Sequence, residues 1–225
     1  MDLGFKDVHV LVTGTSWLVQ PGQPSRDDDR TGASGGIGLE TTRQFLSKPF
    51  CVRRRIRNLG VTDIRCKFST AHGAKVTAHY NTNATSLDRL VGESGADNLQ
   101  KLQADLGVEG DTIRMFSGID KGRFGPAQVI IVNHAIYVAE DVPLSQMSLE
   151  QWDRTITANL TSSFLAIREF LKALESVGEG RGDLKDKAAI VLVGSTAGKY
   201  GEPGHADYSA TKSGKLPSSS DFRGS

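Results

Sequence analysis

The sequence predicts an α/β fold, a doubly wound parallel sheet of the Rossmann type. Three observations predict it. Short apolar runs rich in β-branched residues recur at residues 8–13, 74–80, 128–132 and 188–193. Segments with helical spacing of apolar residues lie between them, and a glycine-rich stretch follows the first run. Continuous apolar runs of this length suit strands covered by helices on both faces, and their alternation with helices suits a parallel sheet.

At 225 residues the chain has the length of one domain, expected to span residues 1–225. A net charge of +1 gives no overall pull toward nucleic acid or an anionic membrane. The two cysteines, Cys51 and Cys66, supply neither a disulfide framework nor a Cys-x-x-Cys spacing, so no metal site is expected and a reducing compartment is the default. The first residues do not read as a signal peptide, and no run approaches the roughly 18 apolar residues of a membrane span. A soluble, cytoplasmic protein is the expectation.

In order, residues 8–13 form the first strand and end at Gly14. Residues 15–30, with Pro21, Gly22, Pro24 and Asp27 to Asp29, read as loop. The glycine-rich stretch Thr31-Gly32-Ala33-Ser34-Gly35-Gly36-Ile37-Gly38 comes only then. Its glycines suit a tight turn, close approach of the backbone to a pyrophosphate, and helix packing. The dipeptide Thr-Gly occurs at 13–14 and again at 31–32, and removing the residues between leaves an uninterrupted strand and turn. An insertion at about 15–30 is therefore expected. Residues 39–47 read as a helix, stopped before Pro49.

Residues 48–71 read as a second insertion. Its basic residues, Arg53, Arg54, Arg55, Arg57, Arg65 and Lys67, are taken as solvated charge, with a nucleic-acid patch as the sharper alternative. Residues 74–80 form the second strand, followed by Asn81, Thr82 and Asn83 with no carboxylate. A short helix over 86–91 precedes a third strand over 99–106, ending near Asp105. Residues 111–124 read as a helix with Ile113, Phe116 and Ile119 on one face. The fourth strand, 128–132, leads into Asn133-His134-Ala135-Ile136. Nothing close in sequence orients His134 as a general base.

Ser148 and Gln151 form a capping-box pattern that opens a long helix to about Leu174. Trp152, Ile156, Leu160, Phe164, Ile167 and Leu171 mark one stripe, read as core or subunit interface, and Asn159 lies beside it. Residues 178–186 are a polar loop, and 188–193 form a fifth strand expected to be buried on both faces.

Beyond that strand lie Ser195, a Gly/Pro-punctuated loop over 198–204, and Tyr208 and Lys212. The i, i+4 spacing puts phenol and ammonium on one helix face. A free tyrosine, with a pKa near 10, is a poor acid or base at neutral pH, and a neighbouring cation favours its phenolate. Ser195, at the strand's carboxyl end, could donate a hydrogen bond to the oxygen that Tyr208 protonates.

Taken together, these residues resemble the classical short-chain dehydrogenases/reductases, in the branch of the 3-oxoacyl carrier-protein reductases. The resemblance implies catalytic roles for Asn159, Ser195, Tyr208 and Lys212. It implies that Gly32, Ser34, Gly36, Ile37 and Gly38 form the cofactor turn, and that Asn81, Asp105, Asn133, Tyr208 and Lys212 also meet the dinucleotide. The lack of a carboxylate after the second strand favours NADP(H) over NAD(H). The reaction implied is hydride transfer between a carbonyl and a secondary alcohol of a small molecule, with no nucleic acid or membrane partner and with a homodimer or homotetramer possible if the fold is intact. Residues 213–225, Ser-rich with Pro217, read as a tail foreign to the family. The fold is thus expected to be incomplete at its C-terminal end, with an exposed edge and apolar face. A catalytically inactive, truncated fragment acting at most in binding is the alternative.

Overall fold

The computed structural model describes residues 8–14, 33–46, 73–94, 97–176 and 188–214. Both expected insertions, the basic stretch, both cysteines, Gly32 and residues 215–225 lie outside the described residues.

Five parallel strands make one sheet in the order β3-β2-β1-β4-β5. They are β1 (His9–Val12), β2 (Lys75–Tyr80), β3 (Leu99–Gln103), β4 (Val129–Val132) and β5 (Ala189–Leu192). His9 pairs with Lys75, Val10 with Val129, and Val129 with Ala189. Successive side chains point to opposite faces, so each strand serves two cores. Val10, Val12, Val76 and Ile131 pack with Leu87, Leu90 and Leu39 of α2 (Thr85–Ser94) and α1 (Ala33–Leu46). Leu11, Ile130 and Val132 pack on the other side with Phe116 and Ile119 of α3 (Glu109–Asp120) and with Ile167 and Phe170 of α5 (Ser162–Ser176). The doubly wound parallel sheet expected from the sequence is present.

Four local expectations change. The glycine stretch is helical from Ala33, so Gly36 and Gly38 sit inside α1 and not in a turn; no proline interrupts 33–46. β5 is the outermost strand and is not buried: Val191 and Leu192 are 46% and 44% exposed, because no described element covers them. Ile113 is exposed on α3, whose inner face is Thr112, Met115, Phe116 and Ile119. The single long helix is three segments, α4 (Leu149–Ile156), a π-helical turn (Thr157–Thr161) and α5. A π turn takes up an extra residue and rotates everything after it by about 100°. Ser163, Ala166, Ile167, Phe170 and Leu174 therefore face inward while Phe164 is 48% exposed. No helix among the described residues is long and apolar enough to cross a membrane.

Candidate active site

The carboxyl ends of the strands gather the chemistry. After β5 the chain forms a short helix, α6 (Ala197–Tyr200), then turns through Gly201 and Gly204 into α7 (Ala206–Ser213), which carries Tyr208 and Lys212. The Lys212 Nζ donates to the Val193 carbonyl at 2.9 Å and lies 5.7 Å from the centroid of the Tyr208 ring. Burial holds the Lys212 ammonium pKa below its ordinary value. Ser195 accepts the Ala197 N–H at 3.2 Å, which opens α6 and leaves its own O–H as a donor. The Tyr208 ring meets Tyr137 edge-on, centroids 5.0 Å apart.

Asn159 lies in the π turn and is buried. Its Oδ1 accepts the Ile136 N–H at 2.6 Å, while its Nδ2 donates to the Ile136 carbonyl at 2.9 Å and to Thr211 Oγ1 at 3.3 Å. The side chain thus clamps the loop after β4 and ties it to α7. A π turn at such a point is a recurrent feature of functional sites.

The β1 and β4 ends are fastened to each other. Asn133 donates through Nδ2 to the Gly14 carbonyl at 2.9 Å and through its N–H to Thr13 Oγ1 at 3.1 Å. Gly14 has φ +64, and a β-carbon on it would fall 2.5 Å from the His134 Cα, so only glycine fits. A β-carbon on Gly38 would fall 2.6 Å from the Gly14 oxygen, so α1 approaches the residues after β1 backbone to backbone at Gly38. Gly36 faces open space, and Ile37 is 45% exposed beside Glu40 and Gln44 on the outer surface of α1. Neither lines the crevice at the strand ends. Ser34 is likewise helical.

Two histidines floor the crevice, both neutral. His134 contacts Thr13 Oγ1 at 2.8 Å through Nδ1 and Ser162 Oγ at 2.7 Å through Nε2, and burial pulls its pKa down to about 3. With both nitrogens engaged it is no general base. His79 accepts the Gly14 N–H at 3.3 Å and donates to the Ala104 carbonyl at 3.0 Å, which fixes the proton on Nε2; burial brings its pKa to about 4.

The crevice lies where the strand order reverses between β1 and β4, the place where such sheets bind ligands. Gly14, Asn81, Asp105, Gly107, Ala135 and Ile136 line it. Asn81 follows β2, and Asp105 follows β3 with its Oδ1 accepting the Gly107 N–H at 2.9 Å. These residues suit a dinucleotide: Asn81 and Asp105 supply polar groups after β2 and β3, and neutral histidines lie beneath.

Asp207, Thr155, Tyr137 and Gly198 escaped sequence reasoning. An acidic residue in the first turn of α7 was the one local signal for Asp207. Its partner Thr155 is 52 positions away.

Residues 58–216 match the family model described as short chain dehydrogenase. The chain is 30% identical over 147 residues to a 3-oxoacyl-[acyl-carrier-protein] reductase of Synechocystis, covering 65% of this chain and 56% of that one. It is 31% identical over 154 residues to the (3R)-3-hydroxyacyl-CoA dehydrogenase of Rattus norvegicus, with the same coverage. It thus spans a little over half the length of these relatives. Among solved structures, a short-chain dehydrogenase/reductase from Brucella melitensis superposes with a TM-score of 0.62 at 20% identity, covering 95% of this chain and 67% of that one.

Proposed function

Because the chain belongs to the short-chain dehydrogenase family, we propose that it is an NADP(H)-dependent oxidoreductase that interconverts a carbonyl and a secondary alcohol. The observation that carries this reading is the placement of Tyr208 and Lys212 on one face of α7, with Lys212 anchored to Val193 at the end of β5 and Ser195 two residues beyond that anchor.

When bound, the nicotinamide supplies or receives the hydride. The chain's own residues handle the oxygen and its proton. Tyr208 gives the proton to the nascent alkoxide, or takes it from the alcohol. The Lys212 ammonium, held near the ring by the Val193 carbonyl, stabilises the phenolate that results. Ser195 uses its remaining O–H to fix the substrate oxygen. Asn159 braces the scaffold, since its hydrogen bonds tie Ile136 to Thr211 beside Lys212. Asn81 and Asp105 hold the adenosine end, and the uncharged Asn81 supports NADP(H) over NAD(H).

The test is oxidation of NADPH by the purified chain in the presence of ketones and β-keto esters. Turnover that Tyr208→Phe lowers by about 10²- to 10⁴-fold is the expected result. Absence of turnover would refute the reading. The exposure of Val191 and Leu192 on the outermost strand among the described residues favours a second reading, a fold that retains the dinucleotide without turning over substrate. It predicts NADPH binding with no NADPH oxidation.

A further inference from the structure

Asp207 stands beside the proposed proton-transfer residue, and only 1% of its surface is exposed. Its Oδ1 accepts the N–H of Tyr208 itself at 2.8 Å. Its Oδ2 accepts the Thr155 hydroxyl at 2.7 Å and the Gln151 Nε2 at 3.2 Å, both from α4. Thr155 is equally buried, at 1%. Gln151 gives its main-chain N–H to the Ser148 cap and sends its side chain to Asp207, so a residue of the first turn of α4 also docks α7.

A buried carboxylate persists only when its oxygens are satisfied, and here donors from two helices satisfy them. The N-terminal turn of α7 adds its dipole. Eight residues are too few for a helix to hold its own conformation, so the orientation of α7 comes from what it is bolted to. One oxygen of Asp207 fixes the Tyr208 main chain and the other fixes α4. With the bonds of Thr211, Lys212 and Ser213, they restrain the rotation of α7 about its axis, and they are the ones made at Tyr208 itself.

We infer that Asp207 is a positioning residue, acting through the Tyr208 main chain and the Thr155 hydroxyl to hold the phenol where the carbonyl oxygen is protonated. The inference rests on the oxidoreductase reading for its catalytic consequence, and on geometry alone for the clamp.

The test compares full-length wild type with Asp207→Asn, Thr155→Val and Thr155→Ser, each assayed well below its thermal transition. Displacement of a reacting group by about 1 Å can lower a rate by about 100-fold. Asp207→Asn should therefore reduce kcat by about that factor while both KM values stay within about threefold. Thr155→Val should lower kcat in the same way, and Thr155→Ser, which keeps the hydroxyl, should restore it. Hydrogen exchange over residues 206–213 supplies a readout independent of turnover, and the Tyr208 amide should exchange about tenfold faster in Asp207→Asn. A lowered melting temperature with unchanged kcat would mean a structural bond only, and would overturn the inference. An unchanged Tyr208 amide would overturn it too. Should wild type turn over no carbonyl, the oxidoreductase reading fails, and faster exchange in Asp207→Asn would still support the clamp.

Discussion

A β-carbon on Gly198 would lie 2.2 Å from the main-chain oxygen of Lys212. The two helices that carry the end of the site, α6 and α7, therefore meet backbone to backbone, and Ser213 Oγ seals the contact by donating to the Gly198 carbonyl at 2.7 Å. Gly198→Ala must push α7 away from α6. Overpacking of this kind costs about 1–3 kcal/mol, and it should also loosen the bond between Lys212 and Val193. Chemical denaturation and kcat, measured on the same variant, should both fall.

Asn159 holds both polar groups of the Ile136 peptide. Asn159→Leu leaves a buried N–H and a buried carbonyl without partners, at about 1–3 kcal/mol each. A urea titration should show the midpoint falling with little change in slope.

Three histidines with lowered pKa values make the fold sensitive to acid. Burial lowers the pKa of His9 to about 4, of His79 to about 4 and of His134 to about 3. The unfolded chain binds protons on these residues from about pH 6.5 downward while the folded chain does not. Stability is therefore fully present above about pH 6.5 and is lost as the pH falls toward 4, because the unfolded chain takes up protons that the folded chain does not. Urea midpoints at pH 7.5 and about pH 5 should differ accordingly. A midpoint that holds steady across this interval would contradict the neutral assignments.

At the end of β2, Asn81→Asp places a carboxylate where the ribose phosphate of NADP(H) is proposed to bind. Affinity for NADPH should fall by roughly tenfold or more, about 1.4 kcal/mol, while that for NADH holds or improves. Thermal shifts with each cofactor, which track affinity for the folded state, read the difference directly.

The central strands were legible because β1, β2 and β4 are buried on both faces, so their apolar runs are continuous and need no knowledge of neighbours. Tyr208 and Lys212 were legible because a four-residue spacing fixes their common helical face. β5 misled, since an identical run serves a central or an outer strand and only the neighbouring element decides its burial. The π turn at Thr157–Thr161 carries neither glycine nor proline, so nothing local announces it, and the face of α5 was displaced as a result. The clamp on Asp207 depends on Thr155, and the neutrality of His79 depends on Gly14 and Ala104. Such pairings arise from the third dimension and leave no spacing in the chain.

The strand order has a consequence for how the chain folds. β1 lies at the centre of the sheet, yet its neighbour β4 begins far along the chain: His9 and Gln128, bonded through the His9 N–H, are 119 residues apart in sequence. β1 must therefore wait for the long stretch that separates it from β4 before it gains both flanks. Closing so long a loop slows the search, but its entropy grows only with the logarithm of length, by about 0.6 kcal/mol for each doubling. The length of chain between β1 and β4 thus weighs little on the stability of the finished sheet, and its burden falls on the time for which β1 stays unpaired.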